Sequence, residues 1–355
     1  MIPHFNNIEL SICHLYKGSR LKADYEAQGV TVHSFGLQGP YSFYKAYTKL
    51  CKLLKQVRPN VVHVALLRSS LVCRLACRRM NIALIGSFVA DSYSPSRYSQ
   101  LTTVARLKLR LFQGLDRVTA KWCNHFVAIS KSIAENNAKV VGLDRQLISV
   151  VYRGRDPEQF MPRQVTSWKN RSVNAIVVGR LVVSKGHRDL VAVMADTNLK
   201  DQHIHITVVG DGPEMNGLKK SIADNSLQSR FTFLGKREDV PNLLASSDLF
   251  LFPSHYEGLG GALIEAMLTG LPIVCSDIPV FREFIHEGNT GLLASVGSVD
   301  SWQQKINWIM EHETDARAMG QRARKTALTL FDIRQISYQY EKIYRTVYES
   351  YSTSN

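Results

Sequence analysis

Strand-sized apolar runs alternate with helix-length amphipathic stretches along this whole chain, and that alternation narrows its possible folds more than any other feature. In the first half the runs lie at 8–15, 30–35, 61–65, 83–87, 125–129 and 148–151, with helical patterns at 42–57, 68–80, 101–122 and 130–141 between them. A second series follows at 173–181, 204–212, 231–235, 248–254, 272–277 and 290–295, each closing on a Gly, Ser or Asp turn. Strands joined through helices pair in parallel, and such a sheet carries its ligand loops at the strand C-termini. The polar stretch "RGRDPEQFMPRQVTSWKNRS" (153–172) separates the two series and reads as a linker. At 355 residues the chain exceeds one hydrophobic core. The expected class is α/β, with two Rossmann-like domains whose parallel sheets face a cleft. The first domain is expected over 1–158 and the second over 159–331. A last helix over 332–355, with Tyr338, Tyr340, Tyr344 and Tyr348, is expected to cross back to the first domain.

Several functional classes drop out. Hydrophobic content of 45% and charge of 21% are ordinary for a soluble globular protein. No apolar run reaches the roughly 18 residues a membrane span needs, and "MIPHFNNIELSICHLY" lacks the pattern of a secretory signal. The six cysteines (13, 51, 73, 77, 123, 275) form no CxxC and no metal-spaced cluster. Cys73 and Cys77, one helical turn apart, read as a half-buried helix face, and a reducing, cytoplasmic setting is expected. The net charge of +14 is uneven: residues 1–156 hold 23 Lys and Arg against 8 Asp and Glu, and the remainder 21 against 22. The first domain therefore meets something anionic: a membrane surface, a phosphorylated acceptor or a nucleic acid.

The chemistry concentrates in "FPSHYEGLGGALIEAMLTGLPIV" (252–274), a strand, a Gly-rich turn and a helix ended by Gly270 and Pro272. Gly258, Gly260 and Gly261 let backbone amides approach an anion at the helix start. Glu257 and Glu265 would repel a diphosphate but can accept hydrogen bonds from hydroxyls at either end of it. A nucleoside diphosphate sugar has that layout. The plain alternative is a strand–turn–helix connection with Glu265 in water. The dinucleotide fingerprint does not fit, because Leu263 stands where its last glycine belongs. "VVGRLVVSKGHRDLV" (177–191) presents Arg180 and Lys185 after a strand that ends at Gly179, two cations suited to holding a diphosphate without a metal. "VVGDGPE" (208–214) brings Gly210 close to a ligand or is simply a good turn. "FLGKREDV" (233–240) offers Lys236 and Arg237 to a nucleobase.

Together "GRLVVSKG", "VVGDGPE", "FLGKREDVPNLLASSDLFLFPSHYEGLGGALIEAMLTGLPIVCSDIPVFREFI" and "GNTGLL" resemble the retaining glycosyltransferases of family 4, which have the GT-B fold. The likeness covers nearly all of 173–331, and "VRPNVVHVA", "FVAISKSI" and "VVYRGRDPEQF" extend it loosely into the first half. It implies that Glu257 contacts the donor sugar, with the backbone of Gly258, Leu259 and Gly260 near sugar and diphosphate. It further implies that Glu265 holds the ribose hydroxyls and that Arg180 and Lys185 stabilise the departing nucleoside diphosphate. Implied too are transfer with retention, no metal, no cofactor, and a nucleotide diphosphate sugar donor, UDP- or GDP-linked. Three departures stand out. The family's opening strand, Gly-Gly-type loop and helix have no counterpart ahead of the first run, so two expectations stand: a fragment with a misplaced start, or a reduced, catalytically impaired protein that binds nucleotide sugar or a partner without transfer. In "GSFVADSYSP", Ser87, Asp91 and Ser92 stand in for a sugar-facing histidine on the acceptor side. Arg153 and Arg155 replace the usual Asn and apolar residue.

Two basic amphipathic stretches, 42–59 and 104–122, admit two readings: an apolar face packed on the sheet with cations in water, or contact with an anionic membrane. No nucleic-acid motif accompanies them. The expected function is transfer of a sugar to a glycan, lipid-linked or other anionic acceptor for surface polysaccharide or lipopolysaccharide. The expected place is the cytoplasm, peripheral at the inner face of the membrane.

Overall fold

The computed structural model describes residues 1–18, 21–39, 42–94, 97–98, 101–162, 167–168, 172–196 and 203–354. Two units separate by packing: Met1–Gly154 with Arg334–Asn355, and Arg155–Ile333. In the first unit the six apolar runs become parallel strands in two sheets. Strands β1 (Ser11–Tyr16) and β2 (Thr31–Leu37) pair with each other, Ser11 opposite Thr31. Strands β3 (Val61–Ala65), β4 (Ala83–Phe88), β5 (His125–Ala128) and β6 (Ile148–Val150) form the second sheet in that order. Ala83, Ile85, Val127 and Val151 pack with Ile336 and Val347 of the long helix Ile333–Ser354. Tyr340 and Tyr344 share that packed face, as their four-residue spacing requires, whereas Tyr338 and Tyr348 are exposed. The Tyr344 hydroxyl lies 2.7 Å from His63 Nδ1, and Tyr351 donates to Asn81 Oδ1 at 2.7 Å.

The two basic helices of this unit end differently. The helix Phe43–Val57 buries Ala46, Leu50 and Leu54 and leaves its lysines in water, the packed reading. The helix Thr103–Ala120 instead buries Leu109, Asp116 and Ala120 and leaves five large apolar residues exposed. The cause is polar. Arg74, buried on the helix Leu67–Met80, is ion-paired to Asp116 and donates to Thr119 Oγ1 at 3.1 Å, while Tyr93 donates to Asp116 at 2.9 Å. A buried guanidinium must be matched, so Asp116 turns inward and carries the helix's rotation with it.

In the second unit β7 (Val173–Val178), β8 (Ile204–Val209), β9 (Phe231–Gly235), β10 (Leu249–Phe252), β11 (Ile273–Ser276) and β12 (Leu292–Ala294) form one parallel sheet in the order β12-β11-β10-β7-β8-β9. β10 and β11, apolar but for Ser276, are buried at every residue, as central parallel strands are. From β7 the chain moves outward through β8 and β9, then returns to the other side of β7 with β10. That reversal is a topological switch point, where open α/β sheets bind ligands beyond the strand C-termini. The stretch expected as a linker joins this unit early. Arg155 bridges to Asp332, and Phe160 and Trp168 are buried, because both side chains find the unit's apolar interior. Residues 163–166 and 169–171 of that stretch lie outside the described residues.

Candidate active site

At the switch point the loops after β7 and β10 are bound together. The His255 amide donates to the Ser184 carbonyl at 2.9 Å, and the His255 ring meets Asp189 at 2.6 Å. This docking brings Lys185 and Glu257, 72 residues apart, into a direct ion pair. Ser254 donates to the same Glu257 oxygen at 3.0 Å, and the Lys185 ammonium lies 5.7 Å from the centre of the Phe252 ring. With only 23% and 11% of these two side chains exposed, the pair is largely enclosed, and its charges are screened less than at an open surface. Glu257 Oε2 stands outside both contacts.

The helix Gly261–Thr269 starts directly after this turn, with Gly260 as N-cap at φ +87° and no capping side chain. An uncapped helix start presents amides and positive dipole to an anion. Glu265 sits in the second turn, and Arg155 Nε donates to its Oε1 at 2.8 Å. The Arg155 guanidinium also lies against Gly261, where a Cβ would collide with it. A cation from the far end of the unit thus rests on the helix start and holds the carboxylate assigned to ribose. Sequence reading saw Arg155 only as a departure from the family; its pairing with Glu265 has no local signature.

The β8 loop is a backbone support for the β7 loop. Gly210 has φ +141°, and a Cβ there would run into the Gly179 carbonyl. Gly179 and Leu181 donate to the carbonyls of Val209 and Asp211 at 2.9 and 3.0 Å, and Glu214 donates back to Leu181 at 3.0 Å. Arg180 projects from this supported loop, exposed and in no ion pair among the described residues. Lys236 is exposed as well, whereas Arg237 is occupied by Asp239 through two bonds of 2.8 and 2.7 Å that raise its pKa and lower that of Asp239. The remaining expected residues lie in the first unit. Ser87 is bonded to His63 at 2.6 Å, Asp91 accepts from the Tyr93 amide at 3.3 Å and from Asn136 at 3.4 Å, and the Ser92 carbonyl accepts from Arg97 at 2.9 Å. Burial pushes the Asp91 carboxyl upward.

Ser254, His255 and Asp189 were not singled out by sequence, since only the sheet's return brings them together. His187, the first residue of the helix His187–Ala195, is buried with no partner among the described residues at either ring nitrogen. Burial, with the nearby Lys185 charge adding to it, pushes its pKa down to about 4. It is therefore a neutral spacer beneath the Lys185 loop.

The Glycosyltransferase Family 4 model matches residues 8–159 and the Glycosyl transferases group 1 model residues 162–326. The chain is 28% identical over 270 residues, 73% of its length and 68% of the relative's, to the UDP-Gal:alpha-D-GlcNAc-diphosphoundecaprenol alpha-1,3-galactosyltransferase of Escherichia coli. It is 26% identical over 319 residues, 87% of its length and 82% of the relative's, to the N,N'-diacetylbacillosaminyl-diphospho-undecaprenol alpha-1,3-N-acetylgalactosaminyltransferase of Campylobacter jejuni. Several other curated relatives are matched over less than two thirds of their own length. Among solved structures, Anabaena HepE in complex with UDP shares the fold at TM-score 0.79 and 19% identity, over 95% of this chain and 100% of that one. Matched in turn across 8–159 and 162–326, and built on the same two-unit parallel-sheet plan, the chain belongs to the family 4 glycosyltransferases of the GT-B fold.

Proposed function

We propose that this glycosyltransferase moves a sugar from a nucleoside diphosphate sugar, UDP- or GDP-linked, to a lipid-linked or other glycan acceptor with retention of anomeric configuration. The observation that carries the reading is the meeting of the β7 and β10 loops at the switch point, which sets Lys185 against Glu257 beside an uncapped helix start. Lys185 and Arg180 receive the diphosphate as it leaves, together with the amides after Gly258, Leu259 and Gly260. Charge that develops on the leaving oxygen then meets donors already in place, the arrangement that lowers a barrier most. As the phosphate takes Lys185, Glu257 is released to accept from the donor-sugar hydroxyls, still oriented by Ser254. Glu265, oriented by Arg155, takes the ribose hydroxyls, and Lys236 is the cation left for the nucleobase end. On the acceptor side the reading keeps Ser87, Asp91 and Ser92. It adds an open hollow of about 510 Å³ bordered by Tyr16, Lys17, Leu37, Gln38, Gly39 and Arg68, whose two cations suit a phosphorylated acceptor.

The Escherichia coli and Campylobacter relatives are named for acceptors carried on undecaprenol diphosphate. Such an acceptor would place this chain in surface polysaccharide or lipopolysaccharide synthesis at the inner face of the membrane. The test is calorimetric titration with UDP-, GDP- and ADP-sugars on wild type, Glu257→Ala and Glu265→Ala, followed by product analysis by NMR. Tight binding of one donor, loss of affinity in both variants and a retained anomer are expected. Equal binding by wild type and both variants would overturn the assignment. Because Arg180 and Lys185 neutralise the diphosphate in this reading, turnover is expected to persist in EDTA.

A further inference from the structure

The helix Thr103–Ala120 carries the largest feature that donor chemistry does not use. At 100° per residue, Val104, Leu107, Leu111, Leu115 and Val118 recur at three- and four-residue steps and form one stripe, opposite the buried Leu109, Asp116 and Ala120. Val104, Leu107, Leu111 and Val118 are 64% to 69% exposed, and Leu115 44%. Lys108 borders the stripe on one side, and Arg110, Arg117 and Lys121 on the other, all exposed. The helix's sole carboxylate, Asp116, is buried against Arg74, so its outward face carries no negative charge. We propose that this face docks unit 1 on an anionic lipid surface, the stripe entering the headgroup boundary and the flanking cations meeting lipid phosphates. The proposal deepens the reading above, on which it rests for the acceptor that membrane would carry.

Three observations favour lipid over a protein partner. An apolar stripe with cations on both edges is the pattern of a helix lying in a membrane interface. The exposed apolar residues lie along one side of the helix and the buried ones along the other, so a lipid contact would run parallel to the surface. The half of the chain that bears the helix holds 23 Lys and Arg against 8 Asp and Glu, so its wider field attracts the same surface. Each cation at such a surface strengthens binding roughly fivefold.

The experiment is co-sedimentation of the full chain with vesicles of equimolar phosphatidylglycerol and phosphatidylcholine, with phosphatidylcholine vesicles as control. Wild type is expected to bind the anionic vesicles, at least ~tenfold less well once salt screens the charges. Leu107→Ser with Leu111→Ser is expected to weaken binding about tenfold or more, and Lys108→Gln with Arg110→Gln about twentyfold or more. These residues are exposed, so circular dichroism should show unchanged folding. Failure of wild type to bind anionic vesicles, or wild-type binding by the leucine variant, overturns the proposal. So does light scattering that finds a dimer which the leucine variant splits, because the stripe would then join two copies of this chain. Titration of the same samples with UDP and GDP keeps the two readings apart: binding of neither nucleotide with intact vesicle binding sinks the donor assignment alone.

Discussion

Arg155 gives the donor site a residue with an unusual duty. By bonding Glu265 at 2.8 Å it fixes where the oxygen proposed to accept from ribose points, without having to touch the nucleotide. Removing it leaves Glu265 charged but free to turn into water. Arg155→Met should therefore narrow the preference for UDP over 2′-deoxy-UDP by about tenfold, as the loss of one charge-assisted hydrogen bond would, and Glu265→Gln should narrow it at least as much. Titration of both nucleotides against the three proteins checks this. On the proposed reading Lys185 acts on the leaving group itself, so Lys185→Ala should lower kcat about a hundredfold or more in a coupled assay of nucleotide release. His187 adds a pH signature. Its folded pKa of about 4 lies below the ordinary 6.5, so the unfolded chain binds a proton there that the native one refuses. Stability contributed by the neutral ring is complete above pH 6.5 and is lost as pH falls toward 4, by roughly 3 kcal/mol at most. Urea midpoints at neutral and acid pH should fall less steeply for His187→Phe.

At the scale of elements, the Thr103–Ala120 helix owes its orientation to one carboxylate. Asp116→Ala leaves Arg74 buried and unmatched, which should cost about 3–5 kcal/mol, read as a lower melting temperature. Arg74→Met added to Asp116→Ala should recover much of that loss. Local pattern made nearly every strand legible, because apolar runs and turn residues are near neighbours in sequence. The same patterning left the two basic helices indistinguishable: each has apolar residues at helical spacing and cations between them. What separates them is a partner on another element, and no spacing within 104–122 announces Arg74. The donor site divides the same way. Gly258, Gly260, Gly261 and both glutamates stand within ten residues of one another and could be read together, whereas the Arg155–Glu265 and His255–Asp189 pairs span 110 and 66 residues and exist only once the sheet has closed.

For the whole molecule, every residue proposed to hold the donor lies in a continuous segment, Arg155–Ile333, while the other unit is assembled from Met1–Gly154 and Arg334–Asn355. UDP should accordingly slow hydrogen exchange around 179–186 and 257–265 and leave 103–120 unchanged; protection of 103–120 by nucleotide would contradict that division. The split also sets an order of events during synthesis. The ribosome completes every strand of both units before it makes the helix Ile333–Ser354, whose Ile336 and Val347 cover Ala83, Ile85, Val127 and Val151. Until those last residues emerge, the first unit waits with an apolar sheet face open to water while the second is already able to fold. A premature stop near residue 333 would therefore leave a chain able to hold nucleotide but prone to stick to its neighbours through the uncovered sheet, and chaperone demand would fall mainly on the part of the protein made first.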